Sequence, residues 1–193
     1  MCPQNYLISR RSLLKSISYR ELKKSEISES LFANFNRYQN VKKCWRKENG
    51  EWILKDIAFT EQWSSDEYKV LTKCLQNTVK TGGTVFGAFS DNVLVGFASI
   101  ESQLWGSQKE YIQLSSIHTS YECRGMGIGK KLFSLASTKA KEMGAQKLYI
   151  SAHSSEESQA FYKALGCVEA LEYNKKLVDE EPYDCQLEYR LLI

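Results

Sequence analysis

The stretch Arg124-Gly125-Met126-Gly127-Ile128-Gly129-Lys130 constrains this chain more than any other. It joins an apolar, strand-like run, Tyr111 to Ile117, to a long amphipathic segment that closes at Gly144. Three glycines spaced two apart leave bare backbone where a strand turns into a helix. Such a turn offers N–H groups and the positive end of a helix dipole to an anion. Lys130 and Lys131 stand in the first helical turn, against the macrodipole, with no Asp or Glu to offset them. A bound polyanion resolves that conflict, so the loop reads as a phosphate cradle.

Spacing eliminates two familiar phosphate loops. A P-loop needs Gly-x-x-x-x-Gly-Lys followed by Ser or Thr, and here Arg124 holds the first glycine position and Lys131 the hydroxyl position. A dinucleotide fingerprint needs Gly-x-Gly-x-x-Gly. Counted from Gly125 its third position is Lys130, and counted from Gly127 it is Leu132.

What fits is Arg-x-x-Gly-x-Gly, Arg124 to Gly129, which resembles motif A of the GNAT superfamily of acyl-CoA-dependent N-acyltransferases. Its flanks agree with that resemblance. A strand-like segment, Lys147 to Ser151, follows the helix, and then comes Phe161-Tyr162 with Leu165-Gly166 at the distance the family uses. The chain is thus identified as a bacterial-type, small single-domain member, with residues 17–193 as one N-acetyltransferase domain. Residues 1–16 are an N-terminal extension or extra strand. The resemblance implies an α+β GNAT fold: a twisted, mostly antiparallel sheet with helices on both faces and splayed central strands.

Composition sets the outer bounds. The 193 residues are 42% hydrophobic and 25% charged, the profile of an ordinary globular domain. No apolar run approaches membrane-spanning length. A net charge of +3 demands neither nucleic acid nor a membrane as partner. Six scattered cysteines and two distant histidines complete no zinc pattern, so no metal is expected. With no signal peptide evident, the expectation is reduced thiols in a cytoplasm. Arg10, Arg11 and Lys15 among serines and leucines faintly suggest a transit peptide, but a plain extension is the simpler reading.

Local signals give the element order. A strand near Ser18–Leu22 runs into a helix over Lys23–Ile27, with Ser25 and Ser28 as possible caps. An aromatic-rich segment from Phe32 to Trp63 turns at Asn49-Gly50. Ser64-Ser65-Asp66-Glu67 opens a helix with the apolar stripe Tyr68, Leu71, Leu75 and Val79, and Gly82-Gly83 ends it. Strands over 84–89 and 93–100 are joined by the tight turn Ser90-Asp91-Asn92, and the run from Tyr111 is the third member of this meander. A helix over 128–143 buries Ile128, Leu132, Leu135, Ala136, Ala140 and Met143. Ser154-x-x-Glu157 is a capping box for the helix carrying Tyr162. The tail, 167–173 and 185–192, reads as two strands around the acidic loop Asp179-Glu180-Glu181-Pro182.

The resemblance also assigns chemistry. In the family, two strands part at the motif A turn and the pantetheine arm of acetyl-CoA lies between them. Carried over, Ile117, His118 and Thr119 hold the arm and thioester through backbone groups. The N–H groups of Arg124, Gly125, Met126, Gly127, Ile128, Gly129 and Lys130 hold the pyrophosphate. Tyr162 takes the general-acid position and protonates the departing sulfur, its alternative being one more packing aromatic. Phe161, sharing a face with Ala164 and Leu165, is the better core candidate. Ser155 stands where many relatives carry a cofactor-contacting Asn. The base is open. Some relatives place a Glu on the strand before motif A, where this chain has Tyr111, with Glu110 beside it on the other face. His118 and His153 are the titratable candidates, and the default is a water chain. Cys123 lies next to the loop, but without a supporting His-Asp arrangement it reads as inert. Trp45, Trp52 and Trp63 on one side, with Glu180, Glu181, Tyr183 and Asp184 on the other, are the expected acceptor walls, which suit a cationic amine. The leading expectation is an acetyl-CoA-dependent N-acetyltransferase (acyltransferase class) acting on a small-molecule amine by direct transfer in a ternary complex, as monomer or homodimer. A protein or peptide acceptor, or a catalytically silent acyl-CoA-binding module, are the alternatives.

Overall fold

The computed structural model describes residues 16–191; the proposed N-terminal extension and Leu192 fall almost wholly outside them. The described residues form nine strands and four α-helices. We number the strands β1 (Ser18–Glu21), β2 (Gln39–Glu48), β3 (Glu51–Glu61), β4 (Thr84–Ser90), β5 (Val93–Ile100), β6 (Tyr111–Thr119), β7 (Lys147–Ala152), β8 (Val168–Glu169) and β9 (Cys185–Arg190). The helices are α1 (Ser65–Lys80), α2 (Ile128–Glu142), α3 (Glu156–Leu165) and α4 (Lys175–Glu180). Seven strands form one sheet in the order β1-β4-β5-β6-β7-β9-β8, while β2 and β3 pair separately. Every neighbouring pair in the large sheet is antiparallel except β6 and β7. This is the mixed α+β architecture that the motif resemblance implies.

Both faces of β4 and β5 are apolar, so helices cover both sides. On one face Ile128, Leu132, Phe133, Ala136 and Ala140 of α2 pack on Phe86, Val95, Ala98, Ile100, Ile112 and Leu114. On the other, Leu75 of α1 packs with Leu22, Ile27, Phe32, Phe35, Val85, Leu94 and Phe97. The expected stripe is the one used, with Tyr68, Leu71 and Val79 against that second core. Ser64 and Glu67 cap α1 reciprocally, Ser64 Oγ accepting from Glu67 N and Glu67 Oε2 from Ser64 N at 2.7 Å. The β4–β5 turn falls where expected, with Asp91 and Asn92 at φ +47° and +66°.

Gly96 in β5 lets α2 approach this closely. A Cβ there would stand 2.8 Å from Ile128 Cγ2 and 3.0 Å from Leu132 Cδ1, at the first turn of the helix that the glycine loop opens.

Four local expectations shift. The first helix is two short 3-10 turns, Lys24–Glu26 and Glu29–Phe32; Ile27 turns into the core at 1% exposure and breaks the run. The aromatic-rich segment is the β2–β3 hairpin, whose Asn49-Gly50 turn has φ +52° and +87°. The cap moves by one residue and becomes a single side-chain cap instead of a box. Ser155 caps α3, its Oγ accepting from Ser158 N, because Ser154 is drawn into β2: its Oγ accepts from Arg46 at 2.7 Å and its carbonyl from Trp45 N at 2.8 Å. Finally, the tail strand shortens to β8, since Asn174 caps α4 by accepting from Leu177 N. No helix among the described residues is long and apolar enough to cross a membrane.

Gly96→Val overpacks the α2 contact and should lower unfolding free energy by about 1–3 kcal/mol in urea titration. An unchanged midpoint would contradict the close approach.

Candidate active site

Strands β6 and β7 pair only from Tyr111–Lys147 to Gln113–Tyr149. Beyond that, β6 stays with β5 while β7 stays with β9 through Ala152–Cys185. The two strands therefore diverge, and a cavity of about 750 Å³ opens in the gap. Its β6 wall runs from Leu114 to Thr119. The closed end is fastened by side chains. Tyr111, Tyr149 and Trp105 pack on one another, with Trp105 stacked 4.8 Å from Tyr111. Tyr111 O–H also donates to Glu188, which Lys147 joins at 3.2 Å.

The glycine loop closes one mouth of the cavity. A 3-10 turn over Tyr121–Cys123 leads to Gly125 and Gly127, whose φ values of +75° and +80° lie where side chains are strained. Gly127 is the N-cap of α2, and the helix begins with no side-chain cap and no first-turn acid. Its first N–H groups have no intrahelical acceptor. A Cβ on Gly125 or Gly127 would meet nothing within 4 Å, so the space above the loop is open. Gly129 serves differently: a Cβ there would lie 3.2 Å from the Phe161 ring, so this glycine admits α3. Gly125, Gly127, Ile128, Gly129 and Lys130 line the cavity with Arg124, whose guanidinium reaches the carbonyls of Thr119 and Arg37. Met126 does not line it and is partly exposed.

Tyr162 lines the cavity from α3 and is 8% exposed. Burial, with smaller contributions from Cys167 and Asp184, pushes its phenol well above the usual range. It is therefore protonated at neutral pH and able to donate. Phe161 packs edge-on against Tyr162 at 5.2 Å and is partly buried, whereas Ala164, expected on its face, is exposed. Ser155 does not line the cavity; its Oγ, at 1% exposure, accepts from Gln39 and Ser158 and so ties β2 to the start of α3. Ser158, one turn on, reaches the cavity instead.

Both histidines line the cavity. His118 lies with its ring 4.8 Å from Trp63 and 5.2 Å from Phe97. Burial, then the Arg37 and Arg124 charges, hold it far below the usual imidazole range. Burial likewise depresses His153, against the pull of Glu61 at 3.7 Å. Both are neutral and weakly basic. Tyr111 and Glu110 lie outside the cavity lining. Cys123 lines it but is 7% exposed.

Other groups that line the cavity carry no sequence motif. Arg37 donates to Glu61 at 2.7 Å and Gln39 at 2.9 Å. Glu181 and Asp184 also line the cavity. Asp184 Oδ2 accepts from Ser151 Oγ at 3.2 Å. Burial raises its carboxyl to about 6, Glu181 and Glu61 adding to the rise and the Ser151 hydrogen bond opposing it. The tryptophan wall is different from the expectation. Trp63 backs His118, while Trp52 and Tyr183 line a separate recess with Arg46 and Lys47. Trp45 lines neither.

Comparison with known proteins agrees with this geometry. The description "Acetyltransferase (GNAT) family" matches residues 41–167. No curated protein matches the chain. Among solved structures, a nourseothricin acetyltransferase superposes with a TM-score of 0.66 at 16% identity, covering 92% of this chain and 100% of its own. A Bacillus anthracis str. Ames protein solved with acetyl coenzyme A gives 0.64 at 16% identity, covering 92% and 98%. The PaiA N-acetyltransferase of Thermoplasma acidophilum, solved with coenzyme A, gives 0.58 at 16% identity, covering 91% and 99%. At such identities the structural likeness speaks for the fold, and the family match covers well over half the chain. With its glycine-capped helix, splayed strands and buried tyrosine, the chain belongs to the acetyltransferase (GNAT) family.

Proposed function

We propose that the protein transfers an acetyl group from acetyl-CoA directly to a primary amine on a small molecule, within a ternary complex. The observation that carries this reading is one cavity that joins the start of α2, which has no side-chain cap, the open edge of β6 and the buried phenol of Tyr162. These residues fit the cosubstrate, since the space that a Cβ on Gly125 or Gly127 would fill is empty and edged by N–H groups. N–H groups of Gly125, Gly127, Ile128, Gly129 and Lys130 hold pyrophosphate, with the Arg124 N–H already given to Tyr121 and Met126 outside the lining, and backbone groups of Ile117, His118 and Thr119 hold the arm. Acetyl-CoA supplies the activated acyl group. Relatives solved with coenzyme A or its acetyl form support that choice.

Transfer demands a neutral amine, a polarised carbonyl and a protonated leaving sulfur. Tyr162 meets the last demand, because burial keeps its proton in place until a thiolate develops beside it. Glu61, Glu181 and Asp184 favour an acceptor that arrives as a cation. A relative named for acetylating nourseothricin is consistent with a small acceptor. A reducing cytoplasm is part of the proposal, in keeping with the free thiols of Cys44, Cys74, Cys167 and Cys185.

Thiol release from acetyl-CoA with a panel of primary amines tests this. Tyr162→Phe should lower kcat by about a hundredfold or more while acetyl-CoA affinity changes by less than about threefold. Equal turnover would remove Tyr162 from the chemistry. Gly127→Asp should weaken acetyl-CoA binding by about a hundredfold or more, since it puts a negative charge in the phosphate seat and a side chain at positive φ. Calorimetry on the folded variant reads this out, and unchanged affinity would remove the cradle.

A further inference from the structure

The acetyl-transfer reading leaves the acceptor's protons unassigned, the two that an incoming ammonium nitrogen must lose to become an amide. Neither histidine in the cavity suits them, because burial has already made both poor proton acceptors. Glu61 is committed to Arg37 at 2.7 Å. Glu181 is exposed at the rim. Asp184 is different. It stands immediately before β9, on the β7 side of the gap, and is held at three points. Its Oδ2 accepts from Ser151 Oγ at 3.2 Å, its N–H donates to the Glu181 carbonyl at 3.0 Å, and its carbonyl accepts from Gln186 Nε2 at 3.3 Å. Gln186, 2% exposed, also donates to Ser151 Oγ at 3.0 Å, which fixes the hydroxyl that orients the carboxylate. Asp184 shares the cavity with Tyr162 and is one of the charges felt by that phenol.

We propose that Asp184 is the catalytic residue that takes the proton from the acceptor amine, across the cavity from the backbone of β6; this rests on the acetyl-transfer reading. The ammonium group gives one proton to the carboxylate, which releases it to solvent. The freed nitrogen lone pair forms the C–N bond to the thioester carbonyl carbon. Nitrogen sheds its second proton to the same carboxylate as the C–S electron pair leaves with sulfur, and Tyr162 supplies the proton that sulfur takes. Exchange with solvent resets both side chains, so one proton is released per turnover.

The charged and titratable groups facing Asp184 are Tyr162 from α3, Glu61 from β3, Glu181 from the turn after α4, His153 after β7 and Cys185 of β9. Burial dominates them, with Glu181 and Glu61 reinforcing it, and the carboxyl rises to about 6. Below that pH the group is protonated and cannot accept, so activity grows as pH rises through it. At neutral pH it is ionised, yet more basic than an ordinary aspartate.

The test uses the full chain. Wild-type kcat should rise with an inflection near pH 6. Asp184→Asn, which keeps shape and an acceptor for Ser151, should lose that inflection and lower kcat by about a hundredfold or more, with acetyl-CoA affinity within about threefold. Ser151→Ala removes a hydrogen bond to the charged form and should move the inflection to higher pH. Carbon-13 NMR of aspartate-labelled protein, with no acceptor present, should show one carboxyl titrating near pH 6 that is missing from the Asn variant. An Asn variant that keeps both rate and inflection overturns the assignment to Asp184 alone. So does a carboxyl that titrates in the ordinary range near 4. A wild-type protein that binds acetyl-CoA and acetylates no amine overturns the transfer reading beneath it.

Discussion

Parallel pairing between β6 and β7 stops after three residues, and the candidate site occupies the space that opens beyond it. The sheet achieves this by holding one end tightly. Tyr111, Tyr149 and Trp105 fill the closed end, and the Tyr111–Glu188–Lys147 cluster ties β6, β7 and β9 together there. From that anchor β6 follows β5 through an irregular register between Ser99 and Ile100, while β7 remains on β9. An interior strand with unpaired backbone carries groups that need partners. A ligand with amides of its own supplies them, so the same divergence that weakens the sheet prepares a binding edge.

Burial acts on four titratable groups in this gap with consequences that depend on which form is charged. It raises the phenol of Tyr162 and the carboxyl of Asp184, and it lowers His118 and His153. One cause thus produces a donor that keeps its proton, a carboxylate of enhanced basicity and two silent imidazoles. Arg37 supports the arrangement. It neutralises Glu61 and, from 5.2 Å, faces the ring of Trp63, which in turn backs His118.

How much of this was legible in sequence follows from how local each signal is. The glycine loop was legible because backbone conformation at Gly125 and Gly127 depends on the residue itself. Helices α1 and α2 were legible because their apolar periodicity records one packed face each. Tyr162 was legible only through its spacing from the loop. The β2–β3 hairpin was not, since its strands carry alternation broken by a bulge near Val41–Lys43 and pair away from the main sheet. Arg37, Gln39 and Glu61 arrive at the cavity with that hairpin, so no motif announced them. Asp184 was visible as part of an acidic run, but its role depends on Ser151 and Gln186, two strand residues that only the β7–β9 pairing brings beside it. The shifted α3 cap has the same origin, because β2 claims Ser154 before the helix can.

Hydrogen exchange of the backbone amides, with and without acetyl-CoA, bears most directly on the idea that the gap and the glycine loop together form the cosubstrate seat. Protection on binding should concentrate at 117–119 and 124–130, the open edge of β6 and the loop and first turn of α2. Protection confined to the β2–β3 hairpin or to the recess beside Trp52, with 124–130 unchanged, would contradict it.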